Sequence, residues 1–113
     1  MSVEGLWSYE ALSNTPEIAS GVMVLVSGQV LGGNSENYFV GSYTLMNNRL
    51  AAAVKLASHT GEQRTVFRKA ESLRLQIAGD VQGRLIELAG YVVDEPEKKI
   101  LIRCERRLAL ADR

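Results

Sequence analysis

The sequence predicts an all-β domain, an eight-stranded antiparallel up-and-down barrel with at most a short helical turn. Short runs of alternating apolar and polar residues recur about every eight to twelve residues, and Gly, Asn or Pro turn signals separate them. This spacing is typical of small barrels and sandwiches. The connections are mostly short, so successive strands are expected to be antiparallel neighbours, and closing eight of them leaves no exposed edge. A two-sheet sandwich is the alternative.

The first three strands are expected over residues 4–12, 18–26 and 29–33. The first alternates, with Trp7 and Tyr9 on one face and polar residues on the other. A loop with Pro16 follows, because proline lacks a backbone donor. Ser27-Gly28 lies where a two-residue hairpin turn would join the second strand to the third.

The middle pair of strands is expected over residues 38–46 and 49–59. Phe39 and Tyr43 lie on the same face of the first of these strands. Between the two strands, Asn47-Asn48 predicts a tight turn, since Asn tolerates a positive φ better than most residues.

The last three strands are expected over residues 71–79, 84–93 and 99–107. Residues 80–83 and 94–98 are expected to form the turn and the loop between them. Residues 60–70 match neither the helical period nor the strand period, so the sequence predicts a mixed loop there.

Four aromatic side chains are expected to point into the barrel, namely Trp7, Tyr9, Phe39 and Tyr43. The interior of an eight-stranded barrel is either just filled by side chains or holds one small ligand. Both interpretations stay open: the aromatic set forms a packed core, or it lines a site for a small apolar ligand. The small residues Gly41, Ala52 and Gly90 would leave space for such a ligand.

The second strand is apolar on both faces, although the outer face of a barrel wall is normally polar. We expect Met23 and Leu25 to face outward and to form a homodimer interface. Cover of this face by residues 60–70 is the alternative.

Composition and charge restrict the partners and the compartment. Thirteen basic and thirteen acidic residues cancel, so no nucleic-acid partner is expected. No apolar run approaches the roughly twenty residues of a membrane-spanning helix, and residues 1–20 contain no basic residue of a signal peptide. We expect a single domain over residues 1–113 that is cytoplasmic and has no membrane partner.

Candidate catalytic groups are few. His59 is the only histidine and Cys104 the only cysteine, and neither has neighbours at the spacing of a metal site or a nucleophile–base pair. No catalytic residue, metal or other cofactor is expected, and the chain is expected not to be an enzyme.

Gly5-Leu6-Trp7 resembles the opening of the lipocalins. There the tryptophan plugs one end of the barrel, and an arginine from the last strand lies over it. The resemblance implies that role for Trp7, with Arg103, Arg106 or Arg107 supplying the cation–π contact.

A second resemblance, to the GrlR-like family of small regulators, covers most of the chain. Its motifs, in order, are Gly5-x-Trp7, Gly21-Val22, Gly28, Val30-x-Gly32-Gly33-Asn34, Tyr38-x-x-Gly41-x-Tyr43 and Leu73-x-Leu75-x-x-x-Gly79. The resemblance implies a lipocalin-like barrel that forms homodimers and holds a transcriptional activator away from DNA. The founding member is a negative regulator of type III secretion gene expression.

One part of the chain departs from this family. The founding member contacts its activator through an acidic surface tetrapeptide, and Met46-Asn47-Asn48-Arg49 at the corresponding turn has no carboxylate. Electrostatic complementarity governs partner choice, so the departure indicates a different partner. The function expected is a non-enzymatic regulatory barrel that binds a partner protein. The alternative is a carrier or sensor of a small hydrophobic ligand held in the interior.

Overall fold

The computed structural model describes residues 2–14, 18–58 and 72–110, and these residues form eight strands. In chain order the strands are β1 Gly5–Ser13, β2 Ile18–Val26, β3 Gln29–Gly33, β4 Asn37–Met46, β5 Arg49–Ser58, β6 Ser72–Gln82, β7 Leu85–Val92 and β8 Glu95–Ala109. The predicted all-β class and the number of strands are confirmed. Among the described residues no helix is long and apolar enough to cross a membrane.

The strands close into one barrel in sequence order, with β8 pairing back onto β1. All eight neighbouring pairs are antiparallel. The up-and-down barrel is therefore confirmed, and the sandwich alternative is wrong. Residues 60–70 lie outside the described part of the chain, as does His59.

Two of the predicted turns have the backbone geometry that their residues favour. Ser27 and Gly28 have φ values of 52° and 77°, and Asn47 and Asn48 have values of 53° and 63°. Two successive positive φ angles match the right-handed twist of the strands on either side. These tight turns set the register of both hairpins.

The connections at both ends of β7 differ from prediction. β6 runs on to Gln82, because Val81 continues the inward alternation and is buried. The turn therefore follows at Gly83, with a φ of 64°. β8 begins at Glu95 rather than 99, since a register shift beside Val92 brings Glu95 opposite it, and Pro96 lies at the strand start, where proline is tolerated.

The expected orientation of β2 is wrong. Met23 and Leu25 are only 7% and 1% exposed, so they belong to the core and cannot form a dimer interface. The cause is the register, since residues directly opposite in an antiparallel pair share a face, and Met23 lies opposite Trp7. The apolar residues of this strand that share the outward face are Ile18, Val22, Val24 and Val26.

Candidate functional site

One end of the barrel is plugged by Trp7, which is fully buried. Its Nε1 donates a hydrogen bond to the carbonyl oxygen of Val3 at 2.9 Å, so the polar atom is satisfied inside the core. The Arg106 guanidinium carbon lies 5.1 Å from the centroid of the Trp7 ring, and Arg106 Nη2 donates to the carbonyl oxygen of Ser2 at 2.8 Å. Of the three arginines expected over Trp7, Arg106 takes that place.

The part of the interior nearer β3 and the start of β4 contains a small cavity of about 70 Å³. Its wall is almost entirely apolar and includes Phe39, Val30, Leu75 and Ile77. A cavity needs only about 10–15 Å³ to hold one water molecule, so this space admits several waters or a small organic molecule.

Only two of the four expected ligand-site aromatics line this cavity. Tyr9 and Phe39 do, whereas Trp7 and Tyr43 do not. Tyr43 lies near the plugged end, where its backbone nitrogen donates to the carbonyl oxygen of Gly28 at 2.9 Å. Burial raises the pKa of the Tyr43 hydroxyl.

The two lining aromatics are held edge to face. The ring centroids of Tyr9 and Phe39 are 5.5 Å apart, and the ring planes cross at 72°. Glycine makes room for one of them, because a Cβ at Gly32 would lie 2.6 Å from the Phe39 ring. Burial raises the pKa of the Tyr9 hydroxyl, so it stays protonated at neutral pH.

Two asparagines provide polar groups in the cavity wall. Asn34 Nδ2 donates to the Tyr9 hydroxyl at 3.1 Å, and Asn34 Oδ1 accepts from the backbone nitrogens of Glu36 and Asn37, each at 2.9 Å. Asn37 is only 5% exposed, and no donor among the described residues reaches its Oδ1. A buried acceptor without a donor costs free energy, so this atom is a potential contact for a ligand.

Sequence reasoning missed both asparagines as site residues, because residues 34–37 fall between the strands expected over residues 29–33 and 38–46. Asn is common in turns, where its side chain bonds nearby backbone nitrogens, and Asn34 does this. Asn37 lies two residues before Phe39 and one residue before the expected strand. The alternation that places Phe39 inside the barrel therefore places Asn37 inside as well, and this signal could have identified it.

Reactive groups do not assemble in the described part of the chain. Its His, Cys, Asp and Glu residues form no group that could hold a metal ion. Cys104 is fully buried, and burial raises the pKa of its thiol to about 12. Because the thiolate is the nucleophilic form, this cysteine is unreactive at neutral pH.

The outer wall carries a continuous apolar row, which we name the outer stripe. It crosses five neighbouring strands through directly paired residues, namely Leu108, Leu6, Val24, Leu31 and Val40. The side chain of Leu108 is 63% exposed, that of Leu31 40% and that of Val40 42%. The stripe contains no charged residue, and Lys55 lies beside its end at Val40.

A second outward surface, which we name the charged groove, crosses β1, β8, β7, β6 and β5 and encloses about 650 Å³. Its apolar floor is the paired row Leu12, Leu101, Ala89 and Ala78. Two residues farther along each strand, at the next outward-facing position, lies a row of charged residues, Glu10, Arg103, Glu87, Asp80 and Arg49. The last two are joined by an exposed ion pair of 3.0 Å.

No protein-family description matches the chain, and no curated protein matches it in sequence.

Proposed function

We propose that this chain is a non-enzymatic regulatory barrel that acts by binding another protein, and that it does so as a homodimer. The observation that carries this proposal is the pair of apolar surfaces on the outer wall, the outer stripe and the charged groove. Outward barrel positions are normally polar, and contiguous exposed apolar patches mark interaction sites. The resemblance to the GrlR-like regulators supports the same role.

The outer stripe is the proposed homodimer face. Interfaces between permanent partners are more apolar than other protein surfaces, and their centres are depleted of charge. Two copies meeting through this stripe bury Val24 and Leu31 without burying an unpaired charge. This face includes the outward side of β2, so it takes the place of the interface expected from Met23 and Leu25.

The charged groove is the proposed face for the regulated partner. It has the anatomy of a non-permanent interface, with an apolar floor at Leu101 and Leu12 and a charged border. The border carries charges of both signs, with Arg103 between Glu10 and Glu87. It therefore selects a partner of mixed charge rather than a uniformly acidic or basic one.

Two matched substitutions separate these faces. Leu31→Glu and Leu101→Glu place the same charge at exposed strand positions, one in the outer stripe and one in the charged groove. Light scattering should give the wild type and Leu101→Glu a mass of about twice the 12.4 kDa of the chain, and Leu31→Glu the mass of one chain. A monomeric wild type, or a dimeric Leu31→Glu protein, contradicts the proposed dimer face.

The same variants test partner binding. A regulated partner should be captured by the wild type and by Leu31→Glu but not by Leu101→Glu, and its occupancy of DNA should fall when the wild-type protein is added. Capture that is unaffected by Leu101→Glu argues against the charged groove.

A second candidate function is the binding of a small apolar molecule in the interior. The apolar cavity beside Tyr9 and Phe39 supports it. Its test is a saturable shift of the nuclear magnetic resonances of the lining methyl groups of Val30, Leu75 and Ile77 when a small alcohol is added.

A further inference from the structure

The interior cavity combines an apolar wall with one unmatched polar atom. The contacts on its polar side differ between the two asparagines. Asn34 is engaged at both ends of its amide, through Tyr9 and through two backbone nitrogens. Asn37 lines the same cavity and is nine-tenths buried, yet its Oδ1 accepts no hydrogen bond from the described residues.

An amide oxygen is an acceptor only. The group that satisfies Asn37 Oδ1 must therefore be a donor, an O–H or an N–H. A charged ammonium is excluded by the apolar wall, because a charge transferred from water to such a site loses far more solvation than one hydrogen bond returns. The wall formed by Phe39, Met23 and Ile77 favours an aliphatic body next to that donor.

The volume sets the size of the occupant. An apolar cavity of about 150 Å³ accepts benzene, and this cavity has about 70 Å³. A short aliphatic chain matches the space, whereas an extended lipid or a steroid does not.

We propose that the cavity binds a small, uncharged aliphatic molecule that carries one hydroxyl group, and that this hydroxyl donates a hydrogen bond to Asn37 Oδ1. This inference rests on the second candidate function, binding in the interior, and adds to it the chemistry of the ligand. It assigns Asn37 as the residue that determines specificity.

The test uses two isomers with the same atoms, ethanol and dimethyl ether, which are smaller than benzene and of which only the alcohol can donate. Both are titrated into the full chain, and the resonances of the Asn37 side-chain amide and of the lining methyl groups are followed. The alcohol should bind about tenfold more tightly than the ether, because the ether leaves the buried acceptor unpaired.

Asn37→Leu is the matched variant, since leucine has nearly the same shape and no acceptor. In this variant the preference for the alcohol should disappear while both compounds still bind. Equal binding of the two compounds to the wild type overturns the proposed hydrogen bond but leaves interior binding intact. If neither compound gives a saturable shift, as when only water occupies the site, both the hydrogen bond and binding in the interior are overturned. These two outcomes are measured on the wild type, so they do not require the variant to fold.

Discussion

The two ends of the barrel interior differ in how completely side chains fill them. At the plugged end, the side chains of Trp7 and Leu25 are at most 1% exposed, and the indole nitrogen donates a hydrogen bond. At the other end, Tyr9 and Phe39 pack edge to face against each other. About 70 Å³ beside them stays unfilled, next to the Asn37 amide oxygen, which accepts no hydrogen bond from the described residues. The plugged end is therefore tightly packed, whereas the end beside Tyr9 and Phe39 contains unfilled space.

The largest difference should follow from removing one large aromatic side chain at each end. Trp7→Ala should destabilise the protein by about 5 kcal/mol and Phe39→Ala by about 3 kcal/mol, which span the usual range for such truncations. The Trp7 variant also loses the hydrogen bond to Val3 and the contact with Arg106, and it opens a new cavity at the plugged end. Urea unfolding followed by circular dichroism measures both. If Phe39→Ala costs as much as Trp7→Ala, the two ends are equally well packed.

Tight packing around Cys104, which lies directly opposite Tyr9, should also make stability depend on pH. Burial raises the pKa of this thiol from 9.0 to about 12, so the unfolded chain releases the proton at lower pH than the folded protein. The stabilisation is complete below pH 9 and is lost as pH rises toward 12. The free energy of unfolding should fall by about 1.4 kcal/mol per pH unit in this window.

The control for this dependence is Cys104→Ala. At neutral pH the variant should be less stable, because it lacks the sulfur atom, but the part of the slope that belongs to the thiol should be absent. Parallel curves for the wild type and the variant between pH 9 and 11 would show that the thiol is hydrated and that the core around it is not tightly packed.

Replacing alanine by the larger valine should have opposite effects on the free energy of unfolding at two buried positions. Ala11 lines the cavity and Ala52 does not. Ala11→Val should raise the free energy of unfolding by about 0.5–1 kcal/mol by filling space, whereas Ala52→Val should lower it by about 1–2 kcal/mol through overcrowding. Thermal and urea unfolding give the sign for each. Destabilisation by Ala11→Val comparable with that by Ala52→Val would mean that the cavity is not free space.

The smallest expected effect on the free energy of unfolding comes from Arg106, the arginine that lies over Trp7. Arg106→Met keeps a flexible chain over Trp7 but removes the cation, so it should cost about 0.5–1 kcal/mol. The loss is limited because Arg106 Nε is itself buried and has no hydrogen-bond partner in the described part of the chain. Arg107→Met is the control, since Arg107 is exposed and pairs at the surface with Glu105 at 3.3 Å and Ser8 at 2.8 Å. Equal losses in the two variants would show no special role for the contact with Trp7.

The barrel, most strand boundaries and the plug were predictable from the amino-acid sequence alone. Period-two alternation and turn residues such as Asn47-Asn48 act locally, so they can be read without knowing what a strand lies beside. The motif around Trp7, with an arginine from the last strand, also predicted the closed end.

Tertiary structure decided the rest, because those features depend on which residues meet across strands. β2 is apolar on both faces, so its own pattern cannot say which face is inside, and only pairing of Met23 with Trp7 does. The outer stripe exists because residues distant in sequence, such as Leu108 and Val24, both lie beside Leu6. Likewise the buried oxygen of Asn37 is a candidate contact only because the closed barrel brings apolar residues from most of its strands around it.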